Sequence, residues 1–210
     1  MKEYPLILTT VEGELSLYIP DPEQVKPVYE QNLLEDQRAP FPFWAKVWAS
    51  SLALTSFLKN NQELVKGKRV LEIGAGIGLP SFTIAQWAAT IIISDHVLAA
   101  VKLMQKNIEH CRLTNITAMC LDWNHFPEEI KADVVLLSDI NYAPEQFESL
   151  LLLIKKLLEQ GATIIIATPQ RIMATPFVQE LVPFTKYNEV EIIQESGGSV
   201  AISILVLSQP

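Results

Sequence analysis

A strand that runs straight into three alternating glycines constrains this chain more than any other feature. The segment reads Val70-Leu71-Glu72-Ile73-Gly74-Ala75-Gly76-Ile77-Gly78-Leu79-Pro80. The run before Gly74 is apolar apart from Glu72, as a buried strand requires. Pro80 suits the first turn of a following helix, where its missing N–H is not needed. Glycines let the chain turn tightly and let a ligand approach the main chain. The helix start behind them offers unpaired N–H groups.

The same alternation continues along the chain. Residues 47–58 carry apolar side chains at helical spacing and predict a helix. Runs rich in Ile, Val and Leu at 69–73, 90–94, 116–120, 134–138 and 162–167 predict strands. Helices are expected between them at 80–88, 98–111 and 145–158, the last closed by Gly161. Nearly continuous apolar strands fit a parallel sheet covered by helices on both faces. The tail breaks this rhythm. Segments 189–194 and 200–207 flank Glu195-Ser196-Gly197-Gly198-Ser199 and predict an antiparallel hairpin.

Residues 1–43 read differently. Strand-like runs at 6–10 and 14–19 surround Glu12-Gly13, a plausible turn. One helical segment is expected within 25–36, and Pro20, Pro22, Pro27, Pro40 and Pro42 punctuate the rest. These residues are expected to form a short N-terminal β/α arm, with 44–210 as the main domain.

Composition sets the outer limits. The chain is 49% apolar and 19% charged, which excludes a disordered or collagen-like polymer. No apolar run reaches the 18 or more residues of a membrane helix, and residues 1–10 do not read as a secretory leader. Cys111 and Cys120 make no metal or redox spacing and read as reduced, part-buried thiols of a cytoplasmic protein. No metal site is expected. With 16 basic against 24 acidic residues the net charge is −8. Nothing in the sequence clusters the cations that phosphate binding needs, so no nucleic-acid partner is expected.

The spacing of the bend selects its ligand. A dinucleotide fingerprint is G-x-G-x-x-G, but the third glycine position is taken by Leu79. The motif is E-x-G-x-G-x-G. A carboxylate beside a pyrophosphate would repel it and would attract a cationic ligand. Glu72, Gly74, Ala75, Gly76 and Gly78 therefore favour S-adenosylmethionine, which carries a sulfonium and an ammonium and no phosphate. Asp95 ends the second strand, 23 residues after Glu72, where an acid can accept ribose hydroxyls. His96 is a neighbour on the adenine side or the surface. Asp122 can take the adenine amino group and Trp123 can face the ring. A tight turn without a ligand and a buried structural Trp are the alternatives.

Ser138 ends the fourth strand, and Asp139-Ile140-Asn141-Tyr142 follows at the functional edge of such a sheet. A methyl acceptor must be a neutral amine in line with the sulfonium. Asp139 can orient it and Tyr142 can wall it in. The alternative is a carboxylate that caps the following turn. Phe41, Phe43, Trp44 and Trp48 crowd the entry to the helix that leads to the glycine bend, and Trp44 or Trp48 could face a cation through its ring.

Four segments together resemble the class I, seven-β-strand methyltransferases, and within them the lysine methyltransferase group called family 16. The electron-transfer-flavoprotein β-subunit lysine methyltransferase is similar in pattern. The segments are Pro42-Phe43-Trp44-Ala45-Lys46-Val47-Trp48, the stretch from Gly67 to Gly78, Asp95, and Asp139-Ile140-Asn141-Tyr142. The resemblance implies a Rossmann-like, doubly wound seven-stranded sheet with a reversed last strand. It also implies a cofactor site lined by Trp48, Glu72, Gly74, Asp95 and Trp123, and a substrate-side role for Asp139 and Tyr142. The expected activity is S-adenosylmethionine-dependent N-methyl transfer to a protein lysine. The alternatives are a small-molecule amine acceptor on the same fold, a silent cofactor-binding interaction module and, least favoured, a nicotinamide oxidoreductase.

Overall fold

The computed structural model describes residues 2–11, 13, 15–195 and 197–209. Strands β1 (Leu6–Val11) and β2 (Leu15–Pro20) form a separate antiparallel pair, followed by helix α1 (Pro22–Glu35). The alternating part contains α2 (Ala49–Asn60), β3 (Arg69–Ile73), α3 (Leu79–Ile84), β4 (Thr90–Asp95), α4 (Leu98–Cys111), β5 (Ile116–Cys120), β6 (Val134–Ser138), α5 (Phe147–Glu159) and β7 (Thr163–Pro169). Helix α6 (Thr175–Leu181) leads to β8 (Thr185–Glu195) and β9 (Gly198–Leu207). The seven-stranded sheet has the order β5-β4-β3-β6-β7-β9-β8. Its first five strands are parallel, and β9 runs antiparallel to both neighbours. This is the doubly wound sheet with a reversed C-terminal hairpin that the sequence predicts.

The period of two along each strand divides the interior into two cores. Val70, Val134, Leu136, Ile165 and Ala167 pack on the side of α2, α3 and α4. Leu71, Ile73, Val135, Leu137, Ile164 and Ile166 pack on the side of α5 and α6. Helix α5 buries Leu150, Leu153, Ile154, Leu157 and Leu158, a stripe at helical spacing. Glu72 is in phase with Val70 and lies in register with Ile93 on one side and Leu136 on the other. A carboxylate thus occupies a position where the pattern asks for an apolar residue.

Element boundaries differ from expectation in instructive places. Helix α2 begins at Ala49 because Trp48 is extended (φ −89°, ψ 152°). Helix α1 begins early because the Asp21 side chain accepts from the Glu23 N–H. Helix α3 ends at Ile84, before the predicted 88. Asn115 draws the carbonyls of Ala85 (2.8 Å) and Ala88 (3.1 Å) out of helical bonding. The first turn of the predicted 145–158 helix is a 3₁₀ turn, Pro144–Gln146. Helix α6 has no counterpart in the prediction. Glu12 and Glu14 of the predicted N-terminal turn and Ser196 of the C-terminal loop lie outside the described residues.

The β1–β2 pair is fastened to the main sheet's helical layer. Asn107 on α4 accepts from the Tyr18 N–H (2.8 Å) and donates to the Tyr18 carbonyl (2.9 Å), while Leu17 is fully buried. No helix among the described residues is long and apolar enough to cross a membrane. Cys111 is half-buried as expected, but Cys120 is exposed because it sits at the end of the edge strand β5.

Candidate active site

The strand order reverses between β3 and β6, and ligands of open α/β sheets bind outside the strand ends at such a point. A cavity of about 710 Å³ opens there, within the range of roughly 300–1,000 Å³ usual for small-molecule sites. Its wall includes Trp48, Gly74, Ala75, Gly76, Gly78, Asp95, His96, Trp123, Ser138, Asp139 and Tyr142. Eleven of the thirteen predicted site residues therefore meet in one space.

The bend holds its shape through the main chain. Gly74, Gly76 and Gly78 have φ of 67°, 56° and 80°, a region costly for other residues. The Ala75 N–H donates to the Ser94 carbonyl (2.9 Å), and the Gly78 N–H to the Ala75 carbonyl (2.8 Å). A side chain at Gly74 would come 3.1 Å from Ile140 Cγ2, and one at Gly76 3.2 Å from the Trp44 carbonyl oxygen. The glycines thus keep open a channel narrowed by its own walls. Asp95 is nearly buried, and its carboxylate accepts from the Gly76 N–H (3.0 Å) and the Val97 N–H (2.9 Å). His96 approaches the same carboxylate at 3.5 Å and lies 6.4 Å, ring to ring, from Trp123.

Two predicted residues stand elsewhere. Glu72 does not line the cavity. It is wholly buried behind the bend, where its Oε2 accepts from the Ser81 N–H (3.2 Å) and the Ser81 hydroxyl (2.5 Å). Its Oε1 has no hydrogen-bond partner among the described residues. Burial pushes its pKa up to about 7 against the pull of the Ser81 bonds. Its direct contacts secure the start of α3 rather than a ligand. Asp122 also lies off the cavity. Its carboxylate accepts from the Asn124 N–H (2.9 Å) and meets His125 at 3.1 Å, and these bonds hold it below the usual carboxylate range. It caps a 3₁₀ turn away from the cavity wall.

The opposite wall is built from side chains far apart in sequence. Asp139 lies just beyond β6 with φ of 53°, an uncommon conformation for a non-glycine residue. Arg171, just beyond β7, grips it with two bonds of 2.5 and 3.1 Å. Tyr142 stacks obliquely on Phe43 at 5.1 Å. Burial, then the carboxylates of Asp95, Asp139 and Glu145, pushes the Tyr142 phenol above its ordinary value. Trp48 donates its indole N–H to the Phe43 carbonyl (2.7 Å). Lys46 lies 4.6 Å over the Trp48 ring and bonds Glu195 at 3.3 Å. Ile140 and Asn141 anchor this wall. Ile140 abuts Gly74, and Asn141 accepts from the Thr168 hydroxyl at 2.7 Å. Arg171, Lys46 and Phe43 were absent from the predicted site.

These residues fit S-adenosylmethionine. The bare glycine channel admits a ligand to the main chain, Asp95 offers a carboxylate to hydroxyl donors, and Trp48, Trp123 and Tyr142 offer rings to a sulfonium.

Comparison with known proteins gives the same direction. A family profile described as lysine methyltransferase matches residues 34–182. The mouse protein named histone-arginine methyltransferase METTL23 is 30% identical over 124 residues, covering 55% of this chain and 48% of that protein. The zebrafish (Danio rerio) electron transfer flavoprotein beta subunit lysine methyltransferase is 29% identical over 105 residues, covering 49% and 40%. The chain spans about half the length of the curated relatives it matches. Among solved structures, N-methyltransferase NodS from Bradyrhizobium japonicum, in complex with S-adenosylhomocysteine, superposes with a TM-score of 0.63. The alignment covers 85% of this chain and 98% of that one at 13% identity, a likeness of fold.

Proposed function

Because this chain belongs to the lysine methyltransferase family, we propose that it transfers a methyl group from S-adenosylmethionine to an amine, the foremost candidate being a protein lysine. The observation that carries this reading is the meeting of the glycine bend and Asp95 with Asp139 and Tyr142 around one cavity. When bound, S-adenosylmethionine supplies a methyl group activated by its sulfonium. The protein's part is positioning and electrostatics.

Asp95 accepts ribose hydroxyls at the donor end. Trp48 and Trp123 present rings toward positive charge. At the acceptor end, lysine arrives with a pKa near 10.4 and must lose a proton before its nitrogen can attack. The walls around Phe43, Trp48 and Tyr142 desolvate the amine, which favours its neutral form. Asp139 accepts an N–H bond and sets the direction of the lone pair. Tyr142 remains a neutral phenol, since its pKa is raised.

A second reading has its own support. Asp139 already holds a guanidinium in two-pronged geometry, and one relative is named a histone-arginine methyltransferase. A protein arginine is the competing acceptor. One experiment separates these readings. A lysate from cells lacking the protein is incubated with the chain and radiolabelled S-adenosylmethionine, and labelled bands are hydrolysed. Methyl-lysine is the expected product. Methyl-arginine would favour the second reading, label only in the filtrate would indicate a small-molecule amine, and no label anywhere would remove the transferase reading.

A further inference from the structure

We propose that Arg171 is a positioning residue that neutralises Asp139, so that Asp139 orients an acceptor amine without holding it as an ammonium ion. This rests on the methyl-transfer reading above and adds a residue and a purpose to it.

The acceptor end faces two opposed demands. A carboxylate must point an N–H of the amine so that the nitrogen lone pair faces the methyl group. The same carboxylate, left alone a few ångströms from the amine, favours the protonated and unreactive form. A guanidinium seated on the carboxylate resolves the conflict. It cancels most of the negative field while leaving acceptor positions unused, since a carboxylate offers about four and a two-pronged pair takes two.

The fold builds this arrangement deliberately. Strands β6 and β7 are parallel neighbours with Ser138 opposite Ala167, and the Asp139 N–H donates to the Ala167 carbonyl at 2.9 Å. The two loops therefore leave the sheet side by side. The left-handed backbone of Asp139 aims its side chain across to Arg171, and both residues line the cavity. Among the other charged groups near this end, the Glu145 carboxylate acts on the Tyr142 phenol. Lys46 is paired with Glu195, and Asp95 is bonded to the glycine bend. Arg171 is thus the cation committed to Asp139, and it is partly exposed, unlike an ion pair kept only for the core.

The test reads charge at the acceptor end through ligand binding, without turnover. S-adenosylhomocysteine has a neutral sulfur. Sinefungin carries an amine where the sulfonium methyl would stand, so its affinity reports how that place treats a cation. Both are titrated calorimetrically into the wild-type chain, Arg171→Met, Arg171→Lys and Asp139→Asn. In Arg171→Met the affinity for sinefungin relative to S-adenosylhomocysteine is expected to rise about tenfold, the equivalent of one pKa unit for its amine. Arg171→Lys, which keeps the charge, should restore the wild-type ratio. Asp139→Asn, which leaves the guanidinium uncompensated, should lower it. Should Arg171→Met fail to fold, Arg171→Gln, which keeps N–H donors for Asp139 without the charge, is expected to raise the ratio in the same way. An unchanged ratio in a folded Arg171→Met, or equal losses for both ligands, would overturn the proposal and leave Arg171 a structural strut. Failure of the wild-type chain to bind either compound would instead remove the methyl-transfer reading on which the proposal stands.

Discussion

The two ends of the cavity are made in different ways. The end proposed to hold the methyl donor is a main-chain device. Residues 72–81 supply the bend, its left-handed turns and the start of α3 in one continuous stretch, and Asp95 and Ser94 lock it from the adjacent strand. Its acidic groups are buried. The end proposed to receive the acceptor is assembled from separate segments. Phe43, Lys46, Asp139, Tyr142, Arg171 and Glu195 reach it from four places in the chain, and several are partly exposed. One end is thus built as a fixed frame. The other consists of side chains whose replacement would alter the acceptor without disturbing the bend.

The sharpest way to break this division is Asp139→Ala. Turnover should fall by about a hundredfold or more, the scale of a misplaced reactant, while calorimetric affinity for S-adenosylhomocysteine stays within about twofold. A parallel loss of affinity would mean that the ends are one unit. The next effect concerns the buried side of the bend. Glu72 ionises near 4.5 in an unfolded chain and near 7 in the fold, so stability falls as pH rises from about 4.5 to about 7 and stays low above that. Glu72→Gln keeps an acceptor for Ser81 and removes the titration. In urea unfolding the variant should be more stable than wild type by roughly 3 kcal/mol at pH 8, from the size of that shift, with the difference vanishing near pH 4. A pH-independent difference would contradict the burial of an ionisable Glu72. The smallest effect is expected for Asp95→Ala. Affinity for S-adenosylhomocysteine should weaken by about 1–3 kcal/mol, the worth of hydrogen bonds to a charged group. An unaltered affinity would detach Asp95 from the donor end.

The same division explains what could be read from the sequence. The bend was legible because its residues are contiguous and each glycine answers a local demand. The sheet was legible because strands 69–73, 116–120 and 134–138 have runs of apolar residues too short for helices. Glu72 was placed in the cavity for its charge, although the period of two assigns it to the side of Val70, behind the bend. Applying the alternation to the acid would have found this. Asp122 was misplaced because an Asp two residues before Asn124 has a nearer partner in that residue's N–H. Arg171 left no mark, since Gln170-Arg171 is an ordinary loop sequence until β7 lies beside β6. Lys46 and Glu195 are 149 residues apart, and only the closed sheet brings them together.

The paired bonds between Asn107 and Tyr18 carry a consequence for how the chain's front end behaves in time. A two-stranded ribbon of six-residue strands has little persistence by itself in water. Here one amide side chain clasps both the donor and the acceptor of a single residue in that ribbon. The Tyr18 amide hydrogen should therefore resist exchange with deuterium for as long as α4 stays wound, and the ribbon borrows its lifetime from a helix some ninety positions away.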